Sequence, residues 1–190
     1  MKIYFKKFLK QAKLTQEDVA LYFKHKKIPA HTTLLFEGDV ADHIFFIEEG
    51  ALRLWHNNDG QDITMQFFFE NQIVTSFESF YSGEESVFSI ESLAETEIYT
   101  LSKKDWLKLK NKYPALNEIF ITIIAQRFID YSELFLSRIK DTPEKRYKDL
   151  LQQNSLILSR VPDYYIASYL GITPVSYSRI KHRVKKDLEN

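Results

Sequence analysis

The sequence predicts an α+β chain in three parts: an N-terminal jelly-roll-like β-roll, one long helix, and a C-terminal helix-turn-helix. Three observations carry that prediction. Four of the five glycines, Gly38, Gly50, Gly60 and Gly83, fall within residues 38–83, each in a polar turn context. Around them lie short runs rich in β-branched and aromatic residues, and such runs at about 8–12 residue spacing build a sandwich or barrel. Beyond them, Pro114, Pro143, Pro162 and Pro174 each precede a segment of helical period, where a missing N–H costs nothing because the first turn has no partner for it.

Residues 1–112 read as a helical lead-in followed by the roll. Thr15-Gln16-Glu17-Asp18 ahead of Val19 and Leu21 is a capped helix start. Strands are expected over 32–36, 44–48, 51–56, 63–69, 73–77, 87–92 and 97–101, where residues such as Leu52-Arg53-Leu54 alternate. Asn58-Asp59-Gly60 is a hairpin signal. The run Phe67-Phe68-Phe69 cannot point to one side of a strand, so at least one ring is expected to face outward. The aromatic interior reads as ordinary core, with a pocket for an apolar effector as the alternative.

Residues 113–140 form the long helix, predicted over 114–139 and spanning about 39 Å at ~1.5 Å per residue. Ile121, Ile124, Phe128, Tyr131 and Phe135 follow 3-4-3-4 spacing, which makes a heptad seam. A homodimer paired along this seam is expected.

Residues 141–190 carry the helix-turn-helix, over 163–182. Ile166 and Leu170 are its inward positions, Ala167 the small crossing residue, Gly171 the turn, and Tyr177, Ile180 and Val184 the inward face of the second helix. The opposite face holds Val175, Ser178, Arg179, His182, Arg183 and Lys186, and Ser176, Lys181 and Lys185 complete the DNA-binding set expected on this helix. A second helix of this kind enters the major groove of double-stranded DNA. Val175, Ser178 and Arg179 are placed to meet bases. Arg179 is the strongest of them, since a guanidinium bonds guanine O6 and N7 together. Ser176, Lys181, Arg183 and Lys185 are placed near phosphates, and His182 beside them.

Charge and composition narrow the function further. The 190 residues carry no net charge, with 26 Lys/Arg and 26 Asp/Glu, but residues 37–97 are strongly acidic and both ends basic. That split suits an acidic sensor and a basic nucleic-acid module. No cysteine is present, which excludes thiolate metal sites, cysteine-held clusters and cysteine nucleophiles. No run of 18 apolar residues is present to span a membrane, and the basic, aromatic start is unlike a signal peptide, so a cytoplasmic protein is expected. No His-x-His cluster exists. His25, His31, His43 and His56 read as surface groups, and no metal, cofactor or catalytic residue is expected.

The order of parts resembles the Crp/Fnr family of bacterial transcription regulators across nearly the whole chain. Leu35–Asp39 and Ile44–Gly50 resemble the opening strands of the family's cyclic-nucleotide-binding roll. Thr142–Tyr147 and Ile166–Pro174 resemble the Bacteroidetes-type branch. The resemblance implies a homodimer that binds DNA and engages RNA polymerase. In cyclic-nucleotide-binding members a Gly-Glu pair is followed about ten residues on by Arg-Ser or Arg-Thr. The Glu holds the ribose and the Arg the phosphate. Thr75 and Ser76 stand at the first pair here, Ser86 and Val87 at the second, and the only Arg of residues 37–97 is Arg53. A buried phosphate without a cation is costly, so neither cyclic AMP nor cyclic GMP is expected to bind, and any effector is unidentified. The family's β-wing after the recognition helix has no counterpart before Asn190, so some backbone contacts are expected to be missing, leaving either a lower affinity or a greater reliance on the dimer. The rival reading is a small-molecule sensor or scaffold whose helix-turn-helix no longer binds DNA.

Overall fold

The computed structural model describes residues 3–189, with side chains for residues 5–187. Two helices open the chain, α1 (Ile3–Gln11) and α2 (Gln16–Tyr22). The strands follow as β1 (Phe23–Ile28), β2 (Thr33–Leu35), β3 (His43–Glu49), β4 (Leu52–Asn58), β5 (Gln61–Phe68) and β6 (Ile73–Val74). A short helix α3 (Phe77–Ser82) precedes β7 (Ser89–Ser92) and β8 (Thr96–Ser102). The remaining helices are α4 (Lys103–Lys112), α5 (Ala115–Lys140), α6 (Pro143–Gln153), α7 (Ser155–Arg160), α8 (Asp163–Tyr169) and α9 (Pro174–Glu189).

The strands form two four-stranded sheets, β1-β8-β3-β6 and β2-β7-β4-β5. Phe45, Ile47, Leu52, Leu54, Phe67, Val74, Ile90 and Ile98 are buried in the roll. Phe67, Phe68 and Phe69 are all buried, so the ring expected to face outward is covered. The turn from β3 to β4 requires a glycine. Gly50 has φ +104, and a Cβ there would sit 2.7 Å from the Thr96 Cα.

Two expectations are corrected. The run 73–77 is not one strand: it ends at Val74, and Phe77–Ser82 is helical, closed by Gly83 at φ 83. Residues 23–28, where no strand was expected, form β1 opposite β8, from Phe23↔Leu101 to Ile28↔Thr96. Only the two end residues of β1 are buried, so no alternation marked the strand.

The α2 start is a full capping box. Thr15 Oγ1 accepts from the Asp18 amide at 3.1 Å, and Asp18 Oδ2 accepts from the Thr15 amide at 2.9 Å. Asp18 is buried and also accepts from Lys112 Nζ at 2.8 Å and the Tyr113 hydroxyl at 2.7 Å. One carboxylate thus ties α2 to the end of α4.

The chain separates into two compact units. One comprises residues 1–56 and 66–124, the other residues 57–65 and 125–190. Helix α5 runs from the first into the second. In the first unit, Phe5 of α1 packs against Phe23, Phe46 and Tyr99, and Phe120 of α5 packs against Trp106, 4.6 Å between centroids.

Candidate functional site

In the second unit α8 and α9 meet at a tight turn. Gly171 has φ +67, the Ile172 amide donates to the Ala167 carbonyl at 3.0 Å, and the Thr173 hydroxyl accepts from the Ser176 amide at 3.2 Å to start α9. Ile166, Ala167, Leu170, Tyr177, Ile180 and Val184 are buried, while Ile172, also expected to plug the core behind the turn, is half-buried.

Arginines and a tyrosine outside the motif hold it in place. Arg138 of α5 donates to the Tyr169 carbonyl at 2.7 Å, and Arg146 of α6 to the Leu170 carbonyl at 3.1 Å. These cations cap the C-terminal end of α8, where its free carbonyls concentrate negative charge. Tyr147 meets the Tyr177 ring edge-on at 5.7 Å, and the Thr142 hydroxyl accepts from the Lys145 amide at 3.3 Å to cap α6. The residues Thr142–Tyr147 therefore work as the support of the helix-turn-helix.

On α9, Val175, Ser176, Ser178, Arg179, His182, Arg183, Lys185 and Lys186 are exposed and Lys181 is half-buried. Lys181 and Arg183 are paired within the unit. Lys181 Nζ donates to both oxygens of Asp163, at 2.8 and 2.9 Å, and Arg183 Nη1 lies 3.2 Å from Glu144. Among the described residues none forms an ion pair or hydrogen bond with the Arg179 side chain. Arg179 is the sixth residue of α9 and is exposed, while Tyr177 and Ile180 are buried. The geometry presents a planar, five-donor group on a helix narrow enough for a major groove.

A further contact had no signal in the sequence. The Ser168 hydroxyl accepts from the Thr64 amide at 2.9 Å and donates to the Asp62 carbonyl at 2.5 Å. One side chain of α8 thereby satisfies two backbone groups of β5, an edge strand.

Along α5, Ile121, Phe128 and Phe135 are 65%, 72% and 67% exposed, with Ile124 and Tyr131 half-buried. Three large apolar side chains seven residues apart thus line one face of the helix without cover in a single chain.

In the first unit, the four positions matching the phosphate cassette lie around α3. Ser76 and Ser86 are buried, Thr75 is half-buried and Val87 exposed. Ser76 Oγ lies 2.5 Å from Ser86 Oγ and donates to Glu78 at 2.6 Å, while Ser86 Oγ accepts from the Phe88 amide at 3.1 Å. The Thr75 hydroxyl donates to the His43 carbonyl at 2.9 Å. Arg53 is 2% exposed, donates to Glu91 at 2.8 Å directly across the β4–β7 pairing, and lies over the Trp55 ring. It is engaged in the sheet. The four matching positions thus carry three hydroxyls and one apolar side chain.

Residues 25–113 match the family model of the cyclic nucleotide-binding domain. The cyclic AMP receptor protein of Thermus thermophilus is 20% identical over 176 residues, covering 90% of this chain and 81% of that protein. Among solved structures, a c-di-GMP-responsive global regulator of Xanthomonas campestris superposes with a TM-score of 0.74 at 15% identity, over 90% of each chain. A Eubacterium rectale structure attributed to the Crp/Fnr family of transcriptional regulators gives 0.76 at 15% identity, over 98% of this chain and 89% of that one. These likenesses establish the fold. Among the described residues, no helix is long and apolar enough to cross a membrane.

Proposed function

We propose that this chain, a cyclic nucleotide-binding-type roll at residues 25–113 within the Crp/Fnr fold, is a homodimeric, sequence-specific DNA-binding regulator of transcription. The observation that carries the reading is the exposed face of α9, with Arg179 unpaired above a buried Tyr177–Ile180–Val184 face. The similarity to transcription regulators supports it. In this reading α9 lies in the major groove of double-stranded DNA. Arg179, with Val175 and Ser178, meets base edges. Ser176, Lys181, His182, Arg183, Lys185 and Lys186 lie along the phosphates and supply salt-dependent affinity.

The exposed Ile121–Phe128–Phe135 line of α5 pairs with its copy, giving half-sites one helical turn apart, roughly 34 Å. The protein acts in the cytoplasm with RNA polymerase as its second partner, and catalyses no reaction. Cyclic AMP and cyclic GMP are not its effectors, because Ser76 and Ser86 offer neither charge the ligand requires.

Selection of bound duplexes from a random pool at near-physiological salt tests the proposal. Enrichment of an inverted repeat is the expected result. No enrichment, with or without small molecules from a cell extract, would overturn it in favour of a scaffold whose helix-turn-helix no longer binds DNA.

A further inference from the structure

His25, Glu97 and Glu48 lie on three adjacent strands, β1, β8 and β3, of one sheet. Their side chains converge although they are far apart in sequence. His25 Nε2 is 3.7 Å from Glu48 Oε2 and 3.8 Å from Glu97 Oε2, and one ligand atom from each of the three residues lies within 4.8 Å of the others. The pairing explains the convergence. Phe46 pairs with Tyr99 and Ile47 with Ile98, but Glu97 pairs with Glu49, so Glu48 is the extra residue of a β-bulge. Glu48 stands two residues beyond Phe46 and Glu97 two before Tyr99, so both fall on the sheet face where His25, opposite Tyr99, also lies.

The surroundings favour a bound cation. The Glu48 side chain is 4% exposed, whereas those of His25 and Glu97 are 46% and 32% exposed. A carboxylate is thus held at the bottom of an open-mouthed cluster. The Tyr99 ring is fixed between Phe5, stacked at 4.2 Å, and His25, at 4.8 Å, so the floor is rigid. Lys27 is the competing cation: it lies 4.0 Å from Glu97, but its closer partner is Glu95 at 2.8 Å.

We propose that His25, Glu48 and Glu97 form a binding site for a divalent first-row transition metal ion that cross-links β1, β8 and β3. Imidazole nitrogen and carboxylate oxygen are the ligand types such ions take, at about 2.0–2.2 Å, which places neighbouring tetrahedral ligands about 3.4 Å apart. The 3.7 and 3.8 Å separations are within a few tenths of that, and the exposed imidazole and Glu97 have room to close. Water fills the remaining positions. The gain is structural: β1 is an edge strand whose central residues are all exposed, and the metal ties it to two inner strands. The His43–Asp42 and His56–Glu37 contacts belong to no such three-ligand group among the described residues.

The test uses the full chain freed of metal by chelation and titrated with Zn2+ by calorimetry, with Co2+ absorption as an independent readout. One equivalent per chain is expected, with a rise in the thermal midpoint. His25→Ala, at an exposed position, and Glu97→Gln, at a half-buried one, should each weaken binding by at least about tenfold and abolish the Co2+ spectrum. His56→Ala should leave both unchanged. Glu48→Gln is interpreted only if it melts cooperatively. Absence of saturable binding, or binding that His25→Ala and Glu97→Gln leave intact, would overturn the site.

Discussion

The hydroxyls of Ser76 and Ser86 face each other at 2.5 Å in the roll, where the resemblance to cyclic-nucleotide-binding regulators sets a ribose-binding Glu against a phosphate-binding Arg. Two neutral groups satisfy each other where two charged groups would reach for a ligand. Calorimetry with cyclic AMP or cyclic GMP is therefore expected to register no binding. Thermal melts should agree, because a ligand at a hundred times its Kd adds about 2.7 kcal/mol of stability. A clear rise in the midpoint with either nucleotide would contradict the assignment.

The separation of roles on α9 gives a second prediction. Arg179→Ala is expected to cost about 1–3 kcal/mol on the preferred site and to relax one base position. Arg183→Ala should instead weaken binding evenly across sequences and lower the salt slope by about 1, as for a side chain that meets phosphate rather than a base. Binding titrations on two sequences at several salt concentrations distinguish the two. Equal losses for Arg179→Ala on every duplex would remove its base-reading role.

Phe128 is the centre of the uncovered line on α5, between Ile121 and Phe135. If the line pairs with its copy, Phe128→Asp buries a charge twice in one interface. The monomer–dimer midpoint is expected to rise at least about a hundredfold, equivalent to about 2.8 kcal/mol. Light scattering over a concentration series measures it. A wild-type chain that is monomeric at micromolar concentration would end the dimer reading.

How much of this was legible in the sequence depends on whether the signal was local. The α8–α9 turn was, because Gly171 supplies φ +67 between two correctly spaced apolar faces. The cap at Thr15 was, because its partner is three residues away. Strand β1 was not: its sequence, Phe-Lys-His-Lys-Lys-Ile, has four exposed residues in a row, and only pairing with β8 makes it a strand. Of helix α3 only Phe77 was read, as the end of a strand, because an aromatic residue suits either element; in the fold Phe77 and Phe80 both pack on Phe120. The convergence of His25, Glu48 and Glu97 depends on register, which is not written in the spacing of the residues. The same holds for Ser168, which reaches strand residues more than a hundred positions earlier.

Asp18 yields the prediction with a pH signature. Burial raises the pKa of its carboxyl, but hydrogen bonds from Lys112, Tyr113 and Thr15 outweigh that and hold it well below the usual carboxylate range. A group whose folded pKa is depressed stabilises the fold above its unfolded pKa, near 3.9 for Asp, and that contribution is lost as pH falls toward the folded value. Asp18→Asn removes the charge while keeping the size. It is expected to cost about 1–3 kcal/mol at neutral pH, the range for a broken buried charged hydrogen-bond set. The gap between wild type and variant should stay constant from pH 7 down to about 5 and close below about 4. Denaturant midpoints measured across that range decide it. A gap that persists undiminished at pH 3 would mean that the packing of α2 on α4, rather than the ionised carboxylate, carries the stability.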